Sequence, residues 1–127
     1  MWKFYLSIVL LLTGCMYIQP NQNSMSDLSQ NDWAKALVEN PEAVVLDVRT
    51  KDEFESGHIP NALNIDLRLG PGFIDKVNVL DKNKFYYVYC RSGARSAQAV
   101  QLMRDLGFSE TYNLIGGILE WEGQTVD

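Results

Sequence analysis

Two short apolar runs restrict the fold more than any other feature of this sequence. Residues 43–48 are almost continuously apolar, and residues 85–89 are rich in aromatic and β-branched side chains. Runs of this length are typical of strands that a sheet buries on both faces. Apolar residues at helical spacing precede and follow them, over residues 29–40 and 96–106. Helices that alternate with buried strands predict an α/β domain with a largely parallel sheet.

Shorter segments complete this pattern. Thr50 and Glu53 have the spacing of a capping box and predict a short helix that ends at Gly57. Residues 62–65 and 111–114 are predicted as further short strands. A helix is also expected after the Gly-Pro-Gly break at residues 70–72, and a last one after Gly116-Gly117 that carries Trp121.

The N-terminal residues indicate export rather than fold. Lys3 precedes an apolar run that ends in Leu-Thr-Gly just before Cys15, a pattern that is similar to a bacterial lipobox. This resemblance implies that residues 1–14 are a signal peptide and that Cys15 is the lipidation site. The run is shorter than the roughly 20 apolar residues of a membrane-spanning helix. An uncleaved short anchor is the alternative.

Residues 15–26 are predicted to be a flexible tether between the lipid and a single domain over residues 27–127. The protein is then expected on the periplasmic side of a bacterial membrane. Met16, rather than Asp, follows the cysteine, which in lipoproteins favours the outer membrane slightly. The oligomeric state is left open.

Composition excludes one class of partner. The chain has 16 Asp and Glu against 11 Lys and Arg, for a formal net charge of −5. Nucleic-acid binding needs a basic face, so no nucleic-acid partner is expected. Any anion site must be local. Of the two cysteines, lipidation would consume Cys15, so Cys90 would be the free thiol and no internal disulfide would form.

Residues 90–96, Cys-Arg-Ser-Gly-Ala-Arg-Ser, lie where a predicted strand passes into a helix, the usual ligand-binding edge of an α/β sheet. A glycine-centred loop there can turn its backbone N–H groups inward as an anion nest, and the helix dipole adds to it. With Arg91 and Arg95 nearby, the pKa of Cys90 is expected to be low and the thiolate to be populated. The alternative is a buried, inert cysteine.

Four ordered blocks of the sequence resemble the rhodanese domain, namely residues 47–49, 53–62 and 90–96, and Gly-Gly-Ile at 116–118 with Trp121. The resemblance covers roughly residues 26–123. It implies a single domain with a mainly parallel five-stranded sheet, flanked by helices on both faces. It also implies a sulfurtransferase reaction in which a donor such as thiosulfate passes sulfane sulfur to a cysteine, which hands it to a thiol or cyanide.

On the matching motif, Cys90 would be the nucleophile and would carry the sulfur as a persulfide. The rest of the loop would bind substrate and persulfide; its residues are Arg91, Ser92, Gly93, Ala94 and Arg95. The loop reads Cys-x4-Arg, one residue shorter than in the related phosphatases and arsenate reductases, so phosphatase activity is not expected. A non-catalytic or partner-dependent sulfur carrier or binding module stays open as a hypothesis, and so does a redox or detoxifying thiol.

Several other polar residues invite a functional interpretation. His58 is the single histidine, and we expect it to be structural rather than a catalytic base. Asp47 and Arg49 lie at a strand end, where both could contact a substrate. A structural role is favoured instead, in which Arg49 forms an ion pair with Glu53 or Glu55 that holds the next helix. Soft ligands are too few for a zinc site, so neither a metal nor another cofactor is predicted.

Overall fold

The computed structural model describes residues 26–127. The predicted signal peptide, the lipidation site Cys15 and the tether up to residue 25 lie outside the described residues. Within residues 26–127, no helix combines the length and the apolar character that crossing a membrane requires.

A five-stranded sheet forms the centre of the fold, with the strand order β1-β5-β4-β2-β3. Every pair of neighbouring strands is parallel, as the alternation of helices and strands predicted. The strands are β1 (Asp27–Leu28), β2 (Val44–Asp47), β3 (Leu63–Asn64), β4 (Phe85–Tyr89) and β5 (Glu110–Leu114). Strand β1 was not predicted because two residues show no period.

Five helices connect the strands: α1 (Gln30–Glu39), α2 (Lys51–Glu55), α3 (Pro71–Asn78), α4 (Ala94–Asp105) and α5 (Gly117–Glu120). A single 3₁₀ turn, Leu67–Leu69, precedes α3. The predicted capping box is confirmed, because the Thr50 hydroxyl accepts the Glu53 N–H while the Glu53 side chain caps Thr50. Helix α4 begins at Ala94, two residues before the predicted start, and Trp121 lies one residue past α5.

Alternating residues of β4 divide the core between the two faces of the sheet. Tyr86 and Val88 pack on one face with buried residues of α3 and α4, which include Phe73, Val77, Val100 and Met103. Tyr87 and Tyr89 face the other way, where each ring makes a T-shaped contact with the fully buried ring of Trp33 from α1. Helices therefore cover both faces, and the next residue in the period, Cys90, belongs to the α3–α4 side.

Candidate active site

Cys90 is the first residue after β4, at the carboxyl edge of the sheet. The pairing of β2 with β4 continues to this point, because the Val48 N–H, just after β2, donates to the Tyr89 carbonyl over 3.1 Å. Only 1 % of Cys90 is exposed. Strand β4 is the central strand of the sheet, and its end therefore places the Cys90 side chain beneath the loop that follows.

The Cys90 sulfur accepts two hydrogen bonds from its own loop and helix. The Gly93 N–H donates to Sγ over 3.1 Å and the Ser96 hydroxyl over 3.3 Å. Burial by itself raises the pKa of the thiol, but the hydrogen bonds from the Ser96 side chain and from the backbone N–H groups of Ser96, Gly93 and Ser92 outweigh it, so the pKa of Cys90 lies below its ordinary value. The predicted anion nest is therefore present around the sulfur.

Gly93 adopts a conformation that the nest requires. Its φ is +101°, in the region that L side chains rarely occupy, and an added Cβ would lie 3.3 Å from the Leu114 carbonyl oxygen. The turn at Gly93 lets its N–H point at the sulfur and starts α4 one residue later. Glycine at this position is therefore needed for both the turn and the packing.

Arg95 projects from the first turn of α4 to α2, where its two terminal nitrogens donate to the two oxygens of Glu53 over 2.8 and 2.9 Å. The Arg95 hydrogen bonds lower the pKa of Glu53 to about 2. The pKa of Arg95 is raised, chiefly by Glu53 and more weakly by the charges of Cys90 and Asp66. Arg95 is therefore a fixed cation near the sulfur, and the Glu53 carboxylate partly neutralises its charge.

Arg91 differs from Arg95, since it is exposed and its guanidinium makes no hydrogen bond or ion pair with any part of the chain from 26 to 127. The groups that lower the pKa of Cys90 most are Ser96 and the backbone N–H groups of the loop. The two arginines, which the sequence suggested for this role, are not among them. Arg91 remains available at the rim of the loop for an incoming anion.

Asp47 and Arg49 form a buried ion pair, with 2.7 Å between Arg49 Nη2 and Asp47 Oδ2. The same Arg49 nitrogen donates to the Gly57 carbonyl, also over 2.7 Å. The prediction that Arg49 pairs with Glu53 or Glu55 is wrong, because Arg49 turns back to its own strand and Glu53 is bound by Arg95. The pair links the end of β2 to the turn after α2.

His58 is held as part of that turn. Its Nδ1 lies 2.9 Å from the Phe54 carbonyl oxygen, and its ring stacks on the Phe54 ring at 3.7 Å. Its backbone N–H and carbonyl both pair with Val126. These contacts agree with a structural role. Within residues 26–127, no three His, Cys, Asp or Glu side chains are grouped so that they could hold a metal ion.

The segment that begins with the Gly116-Gly117 turn packs against the Cys90 loop and is hydrogen-bonded to it. The N–H of Ile118 donates to the Cys90 carbonyl over 2.9 Å, and the N–H of Leu119 donates to the Arg91 carbonyl over 3.1 Å. Gly117 has φ +60°, and a Cβ on it would lie 2.4 Å from the Arg91 carbonyl oxygen. The sequence indicated only a tight turn here, so its contact with the loop is a finding of the structure.

Replacing Gly117 with Ala should destabilise the protein by about 3 kcal/mol, the sum of a strained positive φ and a clash with backbone that cannot move away freely. Gly70→Ala is the matched control, because Gly70 has a similar φ of +58° but no atom within 4 Å of the added Cβ. Denaturant unfolding measures both variants. Equal losses would mean that the close approach to the loop contributes nothing.

Sequence reasoning missed two residues of the site. Ser96 was part of the recognised motif but received no role, although a hydroxyl in the first turn of the helix behind a cysteine was a usable signal. Asn113, on β5, donates to the Gly93 carbonyl over 3.3 Å and to the Asp27 carboxylate over 2.9 Å. Nothing local in the sequence indicates the Asn113 contacts, because they join residues far apart in the chain.

Ser96→Ala should raise the pKa of the Cys90 thiol, because the variant removes a hydrogen bond that stabilises the thiolate over the thiol. The pH midpoint of Cys90 alkylation should move upward, and the rate at neutral pH should fall about tenfold, the effect of one hydrogen bond to a charged group. Ser92→Ala removes an exposed hydroxyl from the same loop and keeps its N–H. An unchanged midpoint in Ser96→Ala, or an equal shift in Ser92→Ala, would contradict this assignment.

Comparison with known proteins gives the family. The sequence model of the rhodanese-like domain family matches residues 30–124. The putative sulfurtransferase YtwF of Bacillus subtilis is 40% identical over 101 residues, which are 80% of this chain and 94% of YtwF. The putative sulfur carrier protein YrkF of the same organism is 31% identical over 116 residues, 91% of this chain but only 60% of YrkF.

A solved structure agrees with these relatives. The rhodanese-like domain protein from Staphylococcus aureus superposes with a TM-score of 0.67 at 32% sequence identity, over 79% of this chain and 94% of that one. The family model and the fold therefore agree. The chain belongs to the rhodanese-like domain family.

Proposed function

We propose that the protein is a sulfurtransferase that moves sulfane sulfur from a donor such as thiosulfate to a thiophilic acceptor, through a persulfide on Cys90. The observation that carries the proposal is the sulfur itself, which accepts hydrogen bonds from the Gly93 N–H and the Ser96 hydroxyl and has a lowered pKa. A populated thiolate in a nest of donors is the nucleophile that this chemistry needs.

In the first step the Cys90 thiolate attacks the outer sulfur of thiosulfate. The new Cys90 S–S bond forms as the sulfur–sulfur bond of the donor breaks, and sulfite leaves with the electron pair. The charge of the thiolate passes to the terminal sulfur of the persulfide. The N–H groups of Ser92, Gly93 and Ser96, which stabilise the thiolate, are suited to the anionic persulfide that replaces it.

In the second step a thiolate or cyanide attacks the terminal sulfur, and the electron pair of the breaking bond returns to Cys90. The same hydrogen-bond donors then stabilise the Cys90 thiolate again. Both the thiolate and the persulfide are anions, and one set of donors stabilises both. Arg91, exposed at the rim of the loop, supports this cycle as the recognition group for the anionic donor.

A partner-dependent sulfur carrier is the second candidate. Two large apolar side chains beside the loop are well exposed, Ile115 at 51 % and Leu119 at 60 %, and the Leu119 N–H contacts the loop through the Arg91 carbonyl. An apolar rim at the mouth of the site suits docking of another protein. The name of the relative YrkF, a putative sulfur carrier protein, is in line with this role.

The test is thiosulfate-to-cyanide sulfur transfer, combined with intact-mass detection of an adduct of about 32 Da, one sulfur atom, on the protein. Turnover with the adduct supports the enzyme. An adduct without turnover favours the partner-dependent carrier, and the absence of both leaves a rhodanese-like binding module.

We also propose that the protein is exported and lipid-anchored on the periplasmic side through Cys15, with the outer membrane slightly favoured. The lipobox-like end of residues 1–14 supports this. Cys15→Ser should leave the chain unprocessed and unlipidated. A Cys15→Ser protein that is still membrane-bound at the mature size would contradict the anchor.

A further inference from the structure

The side chain of Asn113 joins the first strand of the sheet to the turn of the active-site loop. Strand β5 lies between β1 and β4, and Asn113 is paired with Asp27 on one side and with Val88 on the other. The Asn113 Nδ2 donates to the Asp27 carboxylate over 2.9 Å and to the Gly93 carbonyl over 3.3 Å. Only 4 % of Asn113 is exposed. One buried amide therefore contacts both a charged residue of β1 and the loop around Cys90.

Neither acceptor depends on Asn113 for a hydrogen bond. The Gly93 carbonyl also accepts the Ala97 N–H over 3.1 Å, and Asp27 is only half-buried, so water can reach its carboxylate. The Asn113 Oδ1, in turn, is buried and forms no hydrogen bond with any residue from 26 to 127. A buried acceptor without a partner lowers stability. The needs of its neighbours therefore do not explain an amide at this position, which indicates a role in the loop that it contacts.

The contact acts on the residue that faces the sulfur. The Gly93 N–H donates to Cys90 Sγ over 3.1 Å, while Asn113 holds the carbonyl group on the other side of the same Cα. Gly93 has φ +101°, and glycine changes its backbone conformation more readily than any other residue. Fixing its carbonyl therefore restricts the direction of its N–H. The amide is held in turn, because a flipped Asn113 would place Oδ1 against the Asp27 carboxylate.

We propose that Asn113 is a positioning residue, which keeps the Gly93 N–H directed at Cys90 Sγ, and that Asp27 orients the Asn113 amide. The consequence for sulfur transfer rests on the proposed function, because the thiolate and the persulfide are both anions that the Gly93 N–H stabilises. Asp27 is the first residue of β1. The same contacts therefore connect the reactivity of Cys90 to the seating of the N-terminal strand.

Asn113→Leu tests the first part, because leucine has the same branching and no amide. In full-length protein with Cys15→Ser, Cys90 is the single thiol, and its alkylation by iodoacetamide is followed against pH. The midpoint should move upward by about 0.5–1 pH unit and the rate at neutral pH should fall about three- to tenfold, the effect of weakening one hydrogen bond to a charged group. Arg91 and Arg95 keep their charges in this variant. A denaturant midpoint close to the wild-type value shows that the fold is retained.

Thr111→Val is the matched control. Thr111 is buried on the same strand, two residues earlier, and its hydroxyl bonds with the Val100 carbonyl and with Arg104. Removing this hydroxyl should leave the alkylation midpoint of Cys90 unchanged. An unchanged midpoint in Asn113→Leu, or an equal shift in Thr111→Val, overturns the positioning role.

Two substitutions of Asp27 test the second part, and they decide the question if Asn113→Leu does not fold. Asp27→Asn keeps an acceptor for Asn113 and should leave the alkylation midpoint at or just below the wild-type value, whereas Asp27→Ala should raise it. Loss of a negative charge alone would lower the midpoint in both variants, so a rise in Asp27→Ala comes from the lost contact. A midpoint that does not rise in Asp27→Ala, or that rises equally in Asp27→Asn, overturns the orienting role.

Alkylation needs no sulfur transfer, so these measurements separate this inference from the proposed function. Wild-type protein that forms no persulfide with thiosulfate overturns the proposed function, and an upward midpoint shift in Asn113→Leu then still supports the positioning role. Where persulfide forms, Asn113→Leu should also slow its formation at neutral pH about three- to tenfold, in parallel with alkylation. Persulfide formation at the wild-type rate would overturn a role of Asn113 in the reaction.

Discussion

Cys90→Ser should abolish sulfur transfer completely, with no adduct of about 32 Da after incubation with thiosulfate. A serine hydroxyl is not ionised at neutral pH and cannot form a persulfide, whereas the thiolate of Cys90 is stabilised by Ser96 and the loop N–H groups. The substitution keeps a small hydrogen-bonding side chain at a buried position. We therefore expect the circular dichroism spectrum and the melting temperature to stay close to those of the wild type.

The second cysteine provides the control for this experiment. Cys15 lies outside the described residues, so any sulfur found on the protein must be assigned to one thiol or the other. Cys15→Ser should keep both turnover and adduct. Peptide mass mapping locates the sulfur, and an adduct on Cys90→Ser protein that turns over thiosulfate would show that Cys90 is not the carrier.

The second large effect is on stability, at the buried pair of Asp47 and Arg49. Either Asp47→Leu or Arg49→Met should lower the free energy of unfolding by about 3–5 kcal/mol, because each leaves one buried charge without its partner. Arg49→Met additionally removes the donor to the Gly57 carbonyl. Denaturant unfolding with a constant m-value measures the loss.

The double variant shows whether the pair itself stabilises the fold. Asp47→Leu with Arg49→Met removes both charges and fills the site with apolar volume, so it should recover most of the loss seen in either single variant. The unpaired Gly57 carbonyl keeps the recovery incomplete. Strictly additive losses would mean that the two side chains act independently, in conflict with the 2.7 Å contact between them.

The features predicted correctly from the sequence are those set by neighbouring residues. The parallel sheet was indicated by apolar runs and helical spacing, and the capping box at Thr50 by a three-residue interval. The position of Cys90 at the end of β4 followed from the length of one aromatic run. Such patterns depend on local backbone geometry, which a few adjacent residues determine.

The parts that were missed depend on contacts between distant segments. Arg95 and Glu53 are 42 residues apart, and Asn113 reaches back 20 residues to Gly93. The expectation that Glu53 binds Arg49 was reasonable on spacing, but it failed because the fold brings a second arginine to the same carboxylate. The choice between partners is made only when α2 and α4 pack beside each other.

The bonds from Ile118 and Leu119 to the carbonyls of Cys90 and Arg91 bear on how the protein is made. A chain is synthesised from its N-terminus, so the cysteine emerges before the residues that brace its loop, among them Asn113 and Gly117. A growing chain that ends before β5 lacks every one of these braces. The loop around the thiol therefore gains these bonds only after β5 and the Gly116-Gly117 turn have been synthesised, and a shorter nascent chain holds Cys90 in a loop without them.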